Sequence, residues 1–285
     1  MKPNREVIAR ILELRRQCRG KKVAIIGDIH GCYDELSALL DTIDWSPHTH
    51  IVLLTGDLID WEPKIKETLL FATNTPSVYS LMSNHEWKLL RYLRGHHVQT
   101  NSLAKTIELC GEAFLRHPSF LKWIESLPFI VRWADNSCVV HAGIRPDRQI
   151  IRQHKDHCIY IRTWNPKTRQ ISNKSNDPWW YEYHCLYPPQ RHHSSPSIRI
   201  FFGHQRYDKA WVSHWVCALD GGIVFGGTLR AYVEGKGILE VNARRAYEPD
   251  EKRPPVILSC KLMYSYEKLQ KIPVDIINLI LSELN

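Results

Sequence analysis

Carboxylate, imidazole and amide side chains recur directly after short apolar runs of this sequence. Eight of them follow five such runs: Asp28, His30, Asp57, Asp60, Asn84, His85, His141 and His204. If the runs are neighbouring strands, their polar ends converge at one edge, where α/β proteins place their sites. Oxygen donors mixed with imidazoles suit Mn, Fe or Zn, and two such ions about 3.5–4 Å apart can clamp a phosphoryl group and generate hydroxide.

The segments between these polar ends alternate between strand and helix patterns. The apolar runs at 22–29 and 50–59 are typical of buried strands, and the amphipathic segment between them predicts a helix. Together they form a βαβ unit of the usual size. Residues 101–125 are mainly helical in pattern, and the chain from 129 onward is rich in strand signals. The mixture predicts an α/β (mixed α+β) fold, with two mixed sheets packed together and helices outside.

The chain is predicted to be one catalytic domain with additions. Residues 1–21 are predicted to be a helical extension, because Ile8, Ile11 and Leu12 fall at helical spacing among arginines. Residues 22–243 are assigned to the catalytic domain, in which the run at 165–197, rich in Pro, Ser, His and aromatic residues, is a long surface insertion. A Pro-rich charged break then leads into a predicted C-terminal strand and helix extension, 244–285.

Composition narrows the classes of partner and compartment. The net charge of +8 over 285 residues favours anionic partners such as phosphates, nucleotides, nucleic acid or acidic protein surfaces. Nucleic acid is unsupported beyond this charge, since the sequence carries no recognised nucleic-acid motif. The eight cysteines form no CxxC pair, which indicates reduced thiols. No apolar run reaches about 18 residues and the first residues lack a signal-peptide core. We therefore expect a cytoplasmic protein with no membrane partner.

Five short blocks occur in a fixed order: GDIHG at 27–31, GDLID at 56–60, SNHE at 83–86, VHAG at 140–143 and FGHQ at 202–205. Together they resemble the calcineurin-like metallophosphoesterase superfamily, in particular its phosphoprotein-phosphatase branch. The sequence between the blocks, over 22–234, is similar to bacterial dinucleoside tetraphosphatases and to the phosphatase module of bacterial polynucleotide kinase-phosphatase. The resemblance implies a four-layer sandwich and a metal-dependent phosphoesterase, which hydrolyses phosphate esters or anhydrides with a metal-bridged hydroxide. Dinucleoside polyphosphates are the first substrate class that it suggests.

The resemblance also implies a role for each residue that matches a block. Two divalent ions, Mn first with Fe or Zn also tolerated, would be held by six side chains: Asp28, His30, Asp57, Asn84, His141 and His204. Asp57 would bridge the two ions. His85 would stay free of metal as the general acid, with Asp60 orienting its ring and raising its pKa. Arg162 matches the position of an arginine that binds substrate phosphate.

This sequence differs from the family's motifs at several positions, and these differences leave the substrate class open. A DRG sequence of the family is replaced by Asp60, Trp61 and Glu62, and a tryptophan cannot make a bidentate charged contact to phosphate. The substrate class therefore stays open between nucleoside polyphosphates and phosphoproteins, the latter for a serine/threonine protein phosphatase. A repurposed member that binds metal with little turnover is a further alternative. Ser83 replaces a family glycine, a mild change unless the loop needs positive φ, and Asp220 is either a neighbour of the ligands or a turn carboxylate.

Overall fold

The structure is a computed structural model that describes residues 8–61, 64–99, 101–171, 178–186 and 198–248. Its strands, in chain order, are β1 (Ile11–Glu13), β2 (Lys22–Ile26), β3 (His50–Leu54), β4 (Val78–Ser80), β5 (Ile130–Ala134), β6 (Ser137–Val140), β7 (Trp164–Asn165), β8 (Gln170–Ile171), β9 (Arg199–Phe202), β10 (Trp211–Val212), β11 (Val216–Ala218), β12 (Asp220–Gly221), β13 (Thr228–Val233) and β14 (Gly237–Asn242). Its helices are α1 (Tyr33–Ile43), α2 (Ile65–Asn74), α3 (Asn84–Leu93), α4 (Leu103–Cys110), α5 (Glu112–Leu115), α6 (Pro118–Ser126), α7 (Lys155–Tyr160) and α8 (Trp179–Leu186).

Two six-stranded sheets form the centre of the fold. The first has the order β12-β13-β2-β3-β4, with β14 on the other side of β13, and β2, β3 and β4 are mutually parallel. The second has the order β1-β5-β6-β9-β11-β10, with β6, β9 and β11 parallel. Both sheets are mixed, because β13 runs antiparallel to β2 and β5 runs antiparallel to β6.

The strands alternate their side chains between two hydrophobic clusters, as the period of two in a strand requires. One cluster lies between the sheets and contains alternate residues of both: Val23, Ile25, Ile51, Leu53, Val131, Val139 and Phe201. The intervening residues pack with the helices in the larger cluster: Ala24, Ile26, Val52, Leu54, Val140, Ile200 and Phe202. Full burial of each larger apolar side chain is worth about 1.5–3 kcal/mol. The predicted arrangement of two packed mixed sheets flanked by helices is confirmed.

The helix predicted for the N-terminal extension is wrong over its described part. Ile11–Glu13 is a strand that pairs in parallel with Ile130–Arg132 of β5, and Leu14 is buried between the sheets. The apolar spacing of this segment is compatible with a helix. However, the free edge of β5 presents a row of backbone N–H and C=O groups, which a strand can pair with and a helix cannot. Residues 1–7 lie outside the described residues.

One part of the insertion, α8, is packed into the body of the protein, whereas residues 166–171 are exposed. Trp179 and Trp180, on α8, are 0% and 1% exposed and belong to the main hydrophobic cluster. The segment forms a helix although its sequence shows no clean helical period. Near the start of the C-terminal extension, Tyr247 donates a 2.5 Å hydrogen bond to the buried Glu35 of α1. The strand and helix predicted beyond 248 lie outside the described residues. Within the described chain, no helix is long and apolar enough to span a bilayer.

Candidate functional site

The polar residues that follow the strands meet around the carboxylate of Asp57. One oxygen, Oδ2, lies 3.5 Å from Nε2 of His30 and 3.9 Å from Nε2 of His85. The other oxygen, Oδ1, lies 3.5 Å from Nε2 of His141. That nitrogen lies in turn 3.2 Å from Nδ1 of His204. The loops after β2, β3, β4, β6 and β9 therefore contribute to a single cluster.

Two groups of donor atoms share Asp57. His30, Asp57 and His85 form one group, and Asp57, His141 and His204 form the other, each with its donor atoms within 4.8 Å of one another. Asn84 joins the second group, because its Oδ1 lies 2.8 Å from Nε2 of His141. A carboxylate shared by two donor groups is the arrangement in which one side chain can bridge two cations.

Asp28 lies at the edge of the cluster. Its Oδ1 accepts a 2.9 Å hydrogen bond from the Thr55 hydroxyl, and its Oδ2 accepts a 2.7 Å hydrogen bond from the backbone N–H of His204. A Cβ at Gly203 would overlap Oδ1, so only glycine leaves room for the carboxylate there. Asp28 lines the same cleft as His30 and Asp57, and burial together with the charges of Asp220 and Asp57 raises the pKa of Asp28.

Both sequence interpretations of Asp220 find support. Its Oδ1 accepts a 2.8 Å hydrogen bond from the backbone N–H of Gly222, as a turn carboxylate does. It also lines the same cleft as Asp28 and His30. Burial raises the pKa of Asp220, and the charge of Asp57 acts in the same direction. Three carboxylates close together in a buried site favour a cation, since like charges out of water are costly unless paired.

Two imidazoles of the cluster, His30 and His141, each present an Nε2 lone pair to Asp57. Nδ1 of His30 lies 2.8 Å from the carbonyl of Ile59, and Nδ1 of His141 lies 3.0 Å from the carbonyl of Thr55. These bonds require Nδ1–H, which leaves each Nε2 as an acceptor directed at Asp57. Burial lowers the pKa of His30 and lowers that of His141 to about 4.

The donor set fits a divalent cation. Burial opposes ionisation of Asp57, but the neighbouring His141, His85 and His30 outweigh it and keep the pKa of Asp57 below its usual range. Oδ1 of Asp57 is buried and makes no hydrogen bond within the described chain, so its lone pairs are available to a cation. An ionised carboxylate, neutral imidazole nitrogens and the amide oxygen of Asn84 are ligands that Mn, Fe and Zn accept.

His85 differs from the other imidazoles. Its Nδ1 lies 2.6 Å from Oδ2 of Asp60, whose Oδ1 accepts a 2.7 Å hydrogen bond from the hydroxyl of Thr106. Burial disfavours the charged ring, but the charges of Asp57 and Asp60 prevail and raise the pKa of His85 to about 9. The carboxylate of Asp60 thus orients the ring of His85 and favours its protonated form.

The backbone of the site is turned sharply. Five non-glycine residues of the cleft loops have positive φ: His30 (50°), Asp57 (51°), Asp60 (67°), Trp61 (79°) and His204 (66°). Left-handed backbone is costly for residues with a Cβ and persists where the surrounding structure imposes it, commonly at functional sites. Hydrogen bonds within the loops maintain these turns, such as the 2.8 Å bond from the N–H of His30 to the carbonyl of Asp57.

Glu86 is a site residue that the sequence analysis did not single out. Its carboxylate is fully buried and accepts 3.0 Å hydrogen bonds from the backbone N–H groups of Asp57 and Leu58. Ser83 caps α3 by accepting hydrogen bonds from the N–H groups of His85 and Glu86, and its hydroxyl donates to Glu86. Ser83 has φ of −103°, so this loop does not need glycine there. The S-x-x-E spacing of a capping box was the signal that could have identified Glu86.

Glu86→Ala is expected to lower the free energy of unfolding by about 3 kcal/mol, because it leaves two buried backbone donors without an acceptor. Glu86→Gln keeps one acceptor oxygen, so it should lose less. Urea unfolding followed by circular dichroism measures both values. Glu108→Ala, which removes an exposed carboxylate from α4, is the matched control. Equal stability of the Glu86→Ala and Glu108→Ala variants would contradict this role.

The cluster opens into a cleft that is also lined by two arginines, Arg162 and Arg206. Arg162 is close to the metal-ligand candidates, since its charge, after burial, contributes to lowering the pKa of His204. The insertion supports its backbone, because the N–H of Trp179 donates a 3.1 Å hydrogen bond to the carbonyl of Arg162. Trp61 lines the cleft as well, while Glu62 lies outside the described residues.

The bis(5'-nucleosyl)-tetraphosphatase (symmetrical) of Neisseria meningitidis is 38% identical over 131 residues, which is 45% of this chain and 45% of that protein. In this comparison the chain spans less than half of the relative's length. The enzyme of the same name from Vibrio cholerae is 24% identical over 254 residues, 72% of this chain and 92% of that protein.

Solved structures show the same arrangement. A crystal structure described as a candidate diadenosine tetraphosphatase has a TM-score of 0.67 and 25% identity, covering 82% of this chain and 98% of that chain. A protein serine/threonine phosphatase from Saccharomyces cerevisiae has a TM-score of 0.55 and covers 85% of both chains. At 12% identity, that second likeness concerns the fold alone.

Two packed mixed sheets with an acid and imidazole cluster at their loops define the metallophosphoesterase class of sandwich. The calcineurin-like phosphoesterase family matches residues 21–217, which is more than half of the chain. The chain belongs to this family. The predicted resemblance is thus confirmed, and the family is one of hydrolases.

Proposed function

We propose that this protein is a metal-dependent phosphohydrolase that acts on dinucleoside polyphosphates. The observation that carries this proposal is the position of Asp57, shared by two donor groups at the base of a cleft that also contains arginines. The similarity to the Neisseria and Vibrio tetraphosphatases supports a phosphate anhydride as the bond that is broken.

The proposed metal-binding residues combine the donor groups with Asp28, which lines the same cleft. Asp28 and His30 would hold one ion, Asn84, His141 and His204 would hold the other, and Asp57 would bridge them. Mn is our first choice and Fe or Zn the alternatives, because all three accept mixed oxygen and imidazole donors. Divalent ions at such a site polarise a phosphoryl group and lower the pKa of water. Glu86 contributes indirectly, since it fixes the backbone from which Asp57 projects.

The remaining side chains act on the substrate and on a proton. His85, held protonated by Asp60, would donate its proton to the oxygen that leaves phosphorus. Arg162 would bind oxygens of the reacting phosphate, because its charge lies next to the metal-ligand candidates. Trp61 offers an aromatic surface in the cleft, on which a nucleobase can stack.

We place this activity in the cytoplasm. Cys110, Cys138, Cys158 and Cys217 are buried free thiols, as expected of a protein from a reducing compartment. Burial raises the pKa of Cys110 and Cys138 to about 12, so both thiols are protonated and unreactive at neutral pH.

The proposal is tested with a panel of substrates and added manganese. Diadenosine tetraphosphate, a generic aryl phosphate and a phosphopeptide are supplied separately to the purified protein, and the nucleotide products are separated by chromatography. Two molecules of ADP from each dinucleotide would establish a symmetrical cut, whereas ATP with AMP would indicate an asymmetrical one. Preference for the phosphopeptide would favour the protein phosphatase alternative. Metal binding with no hydrolysis of any substrate would favour the repurposed binding protein.

Arg162→Ala is expected to lower kcat/KM by about a hundredfold on every substrate that turns over, since a charged bidentate contact to the reacting phosphate is lost. Steady-state kinetics with an aryl phosphate measure this. Arg162→Lys should recover only part of the activity, because an ammonium group cannot reproduce the fork of a guanidinium. An unchanged kcat/KM in the alanine variant would exclude Arg162 from the reacting centre.

A further inference from the structure

Thr106, on α4, is a buried polar residue to which the chemistry proposed above gives no role. It is 0% exposed and lies on the face of α4 that also carries the buried Leu103 and Cys110, at the spacing of a helix face turned to a core. Both of these neighbours belong to the main hydrophobic cluster. Valine has the same branched shape as threonine, so packing alone does not account for a hydroxyl here. A hydroxyl in such a position is costly unless it is hydrogen-bonded.

The hydroxyl of Thr106 makes two hydrogen bonds, both with Asp60. Its oxygen accepts a 3.1 Å hydrogen bond from the backbone N–H of Asp60, and its proton is donated to Oδ1 of the same residue over 2.7 Å. A hydroxyl has one proton to donate, so this proton is committed to the carboxylate. The two bonds together fix both the main chain and the side chain of Asp60.

The carboxylate of Asp60 lies between Thr106 and His85. Its Oδ1 accepts the hydroxyl proton of Thr106, and its Oδ2 lies 2.6 Å from Nδ1 of His85. Asp60 is fully buried, so water does not replace either bond. A carboxylate that is held at both oxygens cannot turn about its side-chain bond without losing a donor. The orientation of the His85 ring therefore depends on a chain of three side chains that begins on α4.

α4 also supports the next residue of the same loop. Nζ of Lys105 donates a hydrogen bond to the carbonyl of Trp61. Asp60 and Trp61 have φ of 67° and 79°, a backbone conformation that is costly for residues with a Cβ and persists where the surrounding structure imposes it. Two consecutive residues of α4 thus hold two consecutive residues of this loop, and Thr106 is the one that bonds the side chain of Asp60.

We propose that Thr106 is a positioning residue for proton transfer, because its hydroxyl holds the carboxylate of Asp60 in the orientation that keeps the ring of His85 in place. Without the hydroxyl, Oδ1 of Asp60 would be a buried acceptor that has lost its donor, and the carboxylate would be free to rotate. A ring that is held less firmly transfers its proton less efficiently, since a catalytic group must stay close to its productive geometry. The inference rests on the proposed function for the role of His85 as the general acid.

The first test removes the hydroxyl and keeps the shape of the side chain. Thr106→Val should lower kcat by about tenfold on an aryl phosphate with a poor leaving group and change KM by less than about twofold. Thr106→Ser keeps the hydroxyl and should recover most of the activity. Thr68→Val is the matched control, because Thr68 is also fully buried on a helix, α2, but its hydroxyl donates a 3.0 Å hydrogen bond to the carbonyl of Lys64 one turn earlier. Equal losses in Thr106→Val and Thr68→Val would overturn the inference.

A double-mutant cycle tests whether Thr106 acts through Asp60. In an Asp60→Ala background the carboxylate is gone, so Thr106→Val should change kcat by less than about twofold there. An equal loss of kcat in both backgrounds would contradict the proposed chain of side chains.

Proton magnetic resonance gives a measurement that does not depend on turnover. The Nδ1 proton of His85, which is bonded to Asp60, is expected to give a downfield resonance in protein loaded with zinc, a diamagnetic ion. His85→Gln identifies this resonance by removing it. Thr106→Val should shift or broaden the resonance and Thr106→Ser should restore it, whereas an unchanged resonance in Thr106→Val would overturn the inference. A shifted resonance in a protein that hydrolyses no phosphate compound would refute the proposed function and leave the positioning of His85 by Thr106 standing.

Discussion

Asp57→Asn is expected to lower kcat/KM by at least about a thousandfold, because it removes the only ligand that both proposed ions share. An amide offers a single neutral oxygen, so it cannot hold two cations together as a carboxylate does. Metal content measured by plasma mass spectrometry should fall together with turnover of an aryl phosphate.

Asp44→Asn is the matched control for this variant. Asp44 has the same residue type and the same left-handed backbone, with φ of 59° against 51° for Asp57, but it is exposed at the end of α1. The substitution should leave both turnover and metal content unchanged. Turnover of Asp57→Asn within about tenfold of wild type would show that bond cleavage does not depend on the shared carboxylate.

The elements that position the cluster could be predicted because they are defined locally. β2 and β3 are short apolar runs whose residues are almost all buried, and α1 follows β2 with a clear helical period. Parallel strands that are buried on both faces leave little ambiguity in such a pattern. Once the strands are adjacent, the residues that follow them must converge, which is why Asp57 and its neighbours could be named in advance.

The elements that were predicted poorly depend on distant partners. The segment at 11–13 satisfies a helical spacing, and only its pairing with β5, more than a hundred residues away, makes it a strand. The insertion lacks a period, yet α8 forms because Trp179 and Trp180 find buried positions against the body. Sequence patterns within a short window contain no information about either contact.

The chemistry of the site was predictable in its residue types and less so in its geometry. The sequence suggested which side chains meet, but not that Asp28 bonds Thr55 and the backbone of His204, nor that Arg206 lies across Gly222. These contacts depend on side-chain directions at loops with positive φ, which residue spacing does not encode. For the same reason, residue spacing alone does not show whether His85 is a general acid or a metal ligand.

His85→Gln is expected to lower kcat by about 10²–10⁴-fold on substrates with poor leaving groups, because the general acid is lost. The loss should shrink along a series of aryl phosphates as the leaving group becomes more acidic and needs the proton less. Asp60→Asn should follow the same trend with a smaller loss, since His85 keeps its place while its Nδ1 loses a charged acceptor 2.6 Å away.

The leaving-group series also separates this role from a direct metal contact. Nε2 of His85 belongs to the same donor group as His30 and Asp57, so the ring is close enough to be a ligand. A ligand would show a uniform loss across all leaving groups together with a lower metal content, and that result would contradict the acid role. Retained metal with a loss that depends on the leaving group would fit a ring that Asp60 turns toward the departing oxygen.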